Sequence, residues 1–178
     1  NFVLYDEDIV SEENLPNQMY RIQDLGDLKV DALGAIIKGY NIDTIITAYN
    51  ANYINEPLSP IVIVATDSMS SRKLVWEQYL QQNQARSYIE ARMGAEEGQI
   101  YIITGKSKEN IEFYQERLYT DAEAKPLPCT AKAIIYNVFM IASLVCRAYK
   151  AAVQEELFPR EIVFGTATLH KYSYQIRE

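Results

Sequence analysis

The chain has 178 residues, 48% hydrophobic and 23% charged, the composition of an ordinary globular protein long enough for one domain with a sizeable core. Seventeen Lys and Arg against 24 Asp and Glu give a formal charge of -7 with no basic cluster to offset it, which excludes a general nucleic-acid binder. Two distant cysteines without a His or Cys at ligand spacing supply neither a disulfide framework nor a zinc site, so a reducing, cytoplasmic setting is expected. The uncharged run from Ala133 to Cys146 is short of the roughly 20 residues that cross a bilayer, and no signal peptide is visible. The chain starts at Asn1 and enters a hydrophobic stretch at once, so residues upstream of it are expected.

Phe2 to Tyr5 reads as a short buried strand ending at Asp6-Glu7-Asp8, with Asp6 and Asp8 on one side. Such an acidic strand end either takes ribose hydroxyls, as in nucleotide-binding sheets, or is a solvated turn. Ile9 to Asp24 lacks a sustained period and contains Pro16, so a loop with a helical turn around 18–22 is expected. Asp27 to Lys38 has the spacing of an amphipathic helix ended by Gly39. Lys29 falls in its first turn, where a cation opposes the helix dipole unless an anion sits there too; a solvated lysine is the alternative.

Thr44 to Tyr49 is a second strand. Ile61 to Ala65 then runs without alternation, as a strand buried on both faces does in a parallel sheet. Thr66, Asp67 and Ser68 break this run, which puts a carboxylate just past the carboxyl end of an interior strand, where open α/β sheets bind ligands. Asp67 is therefore either a ligand-binding residue or the cap of the helix behind it. That helix is expected over 73–82, facing inward through Leu74, Val75, Tyr79 and Trp76. Arg86 to Met93 and Gln99 to Ile103 form a hairpin around Gly94 to Gly98, and Ser107 to Leu118 a short exposed helix.

Cys129 precedes a long helix expected from Thr130 to about Glu156, apolar on nearly every side and therefore buried, with Cys146 in the core. A helix N-terminus lowers a thiol pKa, so Cys129 is either a nucleophile or an inert helix start. Ile162 to Phe164 and Leu169 to Ile176 close the sheet. His170 has no Ser or Cys near it in sequence, which disfavours a hydrolase triad. The seven glycines are scattered, without a Gly-x-Gly-x-x-Gly or a P-loop. The whole is a mixed α/β fold of one domain, with a mainly parallel sheet flanked by helices and late antiparallel strands.

Asp6, Asp8, Val10, Asn14, Leu15 and Gln18, then Lys29, then Ala65-Thr-Asp67-Ser with Arg72, resemble the ThiF/MoeB/HesA family of ubiquitin-activating-type adenylating enzymes. The resemblance runs from residue 1 through Cys129-Thr130 and the long helix, and implies a Rossmann-like adenylation domain whose glycine-rich segment lies upstream. It implies ATP and magnesium as cofactors, with Asp6 on the ribose, Lys29 on the phosphates, and Asp67 placing the metal and phosphates. Asp8, Asn14, Gln18, Ser68 and Arg72 would line the same nucleotide site. The implied reaction adenylates the C-terminal carboxylate of a small ubiquitin-like or sulfur-carrier protein, and Cys129 would then take the acyl group as a thioester. A homodimer is implied as well. Asn17 stands where relatives carry an ATP-binding arginine, with Arg21 about one turn on. That departure keeps open a non-catalytic partner or scaffold subunit with a decayed nucleotide site. A dinucleotide-dependent oxidoreductase using Asp6 is a third class, in which Lys29 and the Asp67 to Arg72 pattern have no role.

Overall fold

The computed structural model describes residues 1–123, 134–167 and 169–174. They form two compact units, Asn1–Ile54 and Asn55–Glu178.

In the first unit, β1 (Phe2–Tyr5) and β2 (Ile46–Tyr49) pair in parallel, from Phe2 opposite Ile46 to Tyr5 opposite Tyr49. Helix α1 (Lys29–Tyr40) connects them and buries Val30, Ala32 and Gly34. Tyr5 stacks on Tyr49, ring centroids 4.8 Å apart. The expected boundaries shift for local reasons. Helix α1 runs through Gly39 and stops at Asn41, whose carboxamide Oδ1 accepts the Asp43 amide at 3.1 Å; this side-chain turn, not the glycine, ends the helix. It begins at Lys29 because Asp27 is tied into the loop, its carbonyl accepting from Val10 at 2.9 Å. The helical turns of the loop fall at Glu12–Asn14 and Ile22–Asp24, where Ser11 with Asn14 and Arg21 with Asp24 make local side-chain bonds, and not at 18–22. Strand β1 is not buried as expected: Phe2 and Val3 are exposed in a sheet of two strands.

The second unit holds β3 (Ile61–Val64), α2 (Met69–Gln81), β4 (Ser87–Met93), β5 (Glu97–Thr104), α3 (Lys108–Gln115), α4 (Ile135–Gln154), β6 (Glu161–Gly165) and β7 (His170–Tyr174). Its sheet follows chain order, β3 parallel to β4 and the remaining pairs antiparallel. The mixed α/β class, with parallel pairing among the early strands and antiparallel pairing among the late ones, is the one expected. Alternation along β4 builds two cores. Ile89 faces α4 with Ile100, Ile102, Ile141, Ala148, Ile162 and Phe164. Tyr88 joins Trp76, Tyr79 and Tyr114, all buried, with Trp76 and Tyr114 centroids 4.4 Å apart.

Three burial expectations are corrected. Strand β3 ends the order with only β4 beside it in this sheet, so Val62 and Val64 are buried while Ile63 is 47% exposed. Helix α4 packs on β4 and β5 with one side only; Tyr136, Phe139, Tyr149 and Val153 stay exposed on the other. Cys146 shares that exposure instead of lying in the core. Helix α2 starts at Met69, earlier than expected, because Ser68 and Asp121 serve its first amides. Cys129 and Thr130 lie outside the described residues.

Candidate functional site

Beyond Val64 the chain turns through Ala65, Thr66 and Asp67 into α2. Ser68 is the N-cap: its Oγ accepts the Ser71 amide at 3.2 Å. The Met69 and Ser70 amides donate to Asp121 Oδ1 and Oδ2 at 2.5 and 3.2 Å, and these bonds hold the Asp121 carboxyl below the usual range. Asp67 is therefore not the cap, which removes one of its two readings. Its side chain is exposed, and among the described residues no hydrogen bond or ion pair holds its carboxylate.

The backbone of this turn is fixed from inside. Arg72, 8% exposed, points back under it: Nη2 donates to the Thr66 carbonyl and Nη1 to the Asp67 carbonyl at 3.4 Å. Arg72 Nε lies 2.8 Å from Oε1 of Glu90, which is fully buried on β4. Arg92 also reaches Glu90, Nε at 2.5 Å from Oε1 and Nη2 at 3.1 Å from Oε2, and the Tyr114 hydroxyl donates to Oε2. One buried carboxylate thus faces two guanidiniums and a phenol, a set whose desolvation cost is recovered only while all partners stay in place. Burial works against charge on Arg92, but the Glu90 carboxylate outweighs it and raises the Arg92 pKa. Burial, with Tyr88 and Glu90 adding to it, drives the Tyr114 pKa far up, so its hydroxyl stays a donor.

In the first unit Asp6, Asp8 and Lys29 come together. Asp6 Oδ1 accepts the Asp8 amide at 2.9 Å, and Lys29 Nζ sits 2.7 Å from Asp8 Oδ2. The anion beside the N-terminus of α1 is Asp8 itself. Tyr20 donates to the Lys29 carbonyl at 3.4 Å; burial, then Asp6, Asp8 and Asp24, push its pKa up to about 12. Asn14 and Gln18 form a separate turn: Asn14 Oδ1 accepts from the Ser11 amide at 2.9 Å and its carbonyl accepts the Gln18 amide. Asn17 Oδ1 is buried without a partner among the described residues.

Glu90, Asp121 and Tyr20 are absent from the sequence-derived set. Glu90 and Arg92 left a signal, two opposite charges two apart on one face of an otherwise apolar strand. Asp121 left none, because its partners are 51 and 52 residues away. A cleft of about 650 Å³ lies at the other end of the strands, against Ile61, Ser87 and Thr104, away from Asp67. Among the described residues no group of three or more His, Cys, Asp or Glu is placed for a metal ion, and no helix is long and apolar enough to cross a membrane.

The ThiF family matches residues 1–173 of the chain. The chain belongs to the ThiF family. No curated protein matches it. Among solved structures this ThiF chain is similar to selenomethionine PaaA, at 17% identity and a TM-score of 0.73, covering 99% of this chain and 56% of that one. It is similar to E. coli MccB with ATP, at 16% identity and a TM-score of 0.74, covering 97% and 55% of the two chains. E. coli MccB with AMPCPP and selenomethionine MccA gives the same values. At these identities the likeness is one of fold, Rossmann-like and mixed α/β. The chain spans about half the length of the MccB and PaaA chains it matches.

Proposed function

We propose that this protein carries out ATP-dependent adenylation of a carboxylate, the C-terminal one of a small ubiquitin-like or sulfur-carrier protein. The observation that carries the reading is the Asp67 turn: an exposed carboxylate without a partner among the described residues, on a backbone whose carbonyls are held by Arg72. Family membership supports adenylation, and MccB solved with ATP and with MccA supports a peptide or protein chain as the other substrate. The residues fit the nucleotide and its metal: a free carboxylate oxygen suits magnesium, which takes one or two carboxylates and completes its shell with phosphate oxygens and water. Asp67 would hold the magnesium, which when bound offsets the negative charge of the phosphates. Asp6, Asp8, Asn14, Gln18, Lys29, Ser68 and Arg72 would serve the nucleotide. Cys129 would accept the acyl group as a thioester. The reading takes the two units as one adenylation domain, working as a cytoplasmic homodimer.

A second reading, a non-catalytic ThiF-fold subunit, is favoured by a specific observation. Lys29 is neutralised by Asp8, Arg72 is turned inward to Glu90, and Asn17 offers no charge. Titration of the full-length protein with ATP, with and without magnesium, separates the two. Adenylation requires ATP binding that magnesium strengthens and that Asp67→Ala weakens by about tenfold or more, the worth of one charge-assisted contact. No ATP binding, or binding indifferent to Asp67→Ala, leaves the scaffold.

A further inference from the structure

We infer that Glu90, through Arg72, is the residue that positions Asp67 for its metal. The inference rests on the adenylation reading and names a part of the site outside the nucleotide-facing set.

Asp67 has a side chain without a partner among the described residues and a tethered main chain. The tether is Arg72, whose guanidinium takes the Thr66 and Asp67 carbonyls with its two terminal nitrogens. A guanidinium on a long side chain aims two nitrogens at two carbonyls only if its own rotamer is locked. The lock here is the ion pair with Glu90, whose Oε1 lies 2.8 Å from Arg72 Nε; it is a charge contact, since the Nε–H makes no hydrogen bond among the described residues. Glu90 is held in turn: it is fully buried in the middle of β4, Arg92 reaches both its oxygens, sharing Oε1 with Arg72, and Tyr114 donates to Oε2. The chain of contacts runs from an interior strand through α2 to the turn, and every link is charged or charge-assisted. In a buried site such charge contacts are strong, and removing the Glu90 charge leaves both guanidiniums buried without their counter-ion. Asp121 fixes the start of α2 through the Met69 and Ser70 amides, so the backbone is held before and after Ser68 while the Asp67 carboxylate has no partner among the described residues. A metal-binding carboxylate gains affinity when its backbone cannot drift, because the ordering is already done before the metal arrives. Glu90 touches neither nucleotide nor metal in this assignment and is a positioning residue.

The test uses Glu90→Gln, which keeps size and hydrogen-bonding capacity and removes the charge, beside Tyr114→Phe, which takes a partner from Glu90 without touching Arg72. Two readouts are needed on the full-length protein. The first is amide exchange at Met69–Arg72 in the ligand-free protein, expected to quicken about tenfold in Glu90→Gln and to stay near wild type in Tyr114→Phe. The second is the magnesium concentration at half effect on ATP binding. It is expected to rise about tenfold in Glu90→Gln, with ATP affinity in the absence of magnesium unchanged. In an Asp67→Ala background the magnesium shift should vanish, which general destabilisation would not produce. If Glu90→Gln does not fold, Glu90→Asp, which draws the carboxylate back from Arg72, carries the same expectations. Unchanged exchange at Met69–Arg72, or a magnesium shift that persists without Asp67 or is matched by Tyr114→Phe, overturns the assignment. Quickened exchange in a protein whose wild type ignores magnesium and ATP overturns the adenylation reading and leaves the brace itself supported.

Discussion

Gly98 offers the sharpest stability prediction, because two opposed effects can be weighed. It lies within β5 opposite Phe164 of β6, and a Cβ built there would stand 2.1, 2.3 and 3.0 Å from three atoms of the Phe164 ring, where ordinary contact begins at 3.4 Å. The ring covers the glycine and cannot retreat, being fully buried among Ile100, Ile162 and Ile141. Gly98→Ala gains roughly 0.5–1 kcal/mol from the stiffer unfolded chain but costs about 3 kcal/mol, the upper end for overpacking, giving a net loss of about 2 kcal/mol. Urea unfolding of Gly98→Ala, Phe164→Leu and the double variant measures this. Leucine has no ring atoms over the glycine, so Gly98→Ala in that background should be neutral or stabilising, a coupling of about 2 kcal/mol or more. A Gly98→Ala protein within about 0.5 kcal/mol of wild type, or the same cost in both backgrounds, refutes the reasoning.

Other expectations follow from the same contacts. Asp121 has its folded pKa lowered, so its contribution is present above the ordinary carboxylate value of about 4 and lost as pH falls through the folded value. Thermal melting should therefore fall on acidification below about pH 4, and Asp121→Asn should flatten that limb. Tyr79, bonded through its hydroxyl to the Arg86 and Gly105 carbonyls at 3.1 and 3.2 Å, is pushed up by burial to about 12. Its contribution is whole below about pH 10 and disappears as pH rises to about 12, so Tyr79→Phe should shrink the alkaline loss of stability seen by circular dichroism. Lys29→Met should weaken ATP binding about tenfold under the adenylation reading and leave it unchanged in a scaffold subunit, as titration calorimetry would show.

What could be read from the sequence was what neighbouring residues decide. The Gly94 to Gly98 turn between two apolar runs is a local signal, and β4 and β5 pair around it as expected. The polar break at Thr66 to Ser68 likewise marked the end of β3. Burial was less legible, because it depends on which faces find a partner. Ile63 and Cys146 belong to strongly apolar segments, yet both are exposed where the sheet order ends or α4 turns away from it. No period within a segment encodes that.

The choice between ligand and cap at Asp67 shows the same division at the site. Spacing alone left both open, since an Asp just before a helix serves either purpose. The structure decides against the cap through a residue that no local pattern connects to it: Asp121 takes two α2 amides and Ser68 a third. A turn whose amides are already served has no further use for the Asp67 carboxylate as a cap. A turn with Arg72 and Glu90 beneath it does not need that carboxylate to hold its shape either. A charged group left without structural employment on a backbone braced from two sides is what a cation site requires. Asp67→Asn should accordingly leave the unfolding midpoint of the apo protein within about 0.5 kcal/mol of wild type, as expected for a surface change, and abolish the magnesium dependence of ATP binding. A loss of about 2 kcal/mol or more in urea unfolding would show that the carboxylate holds the turn after all, and would return Asp67 to the structural role that its contacts now deny it.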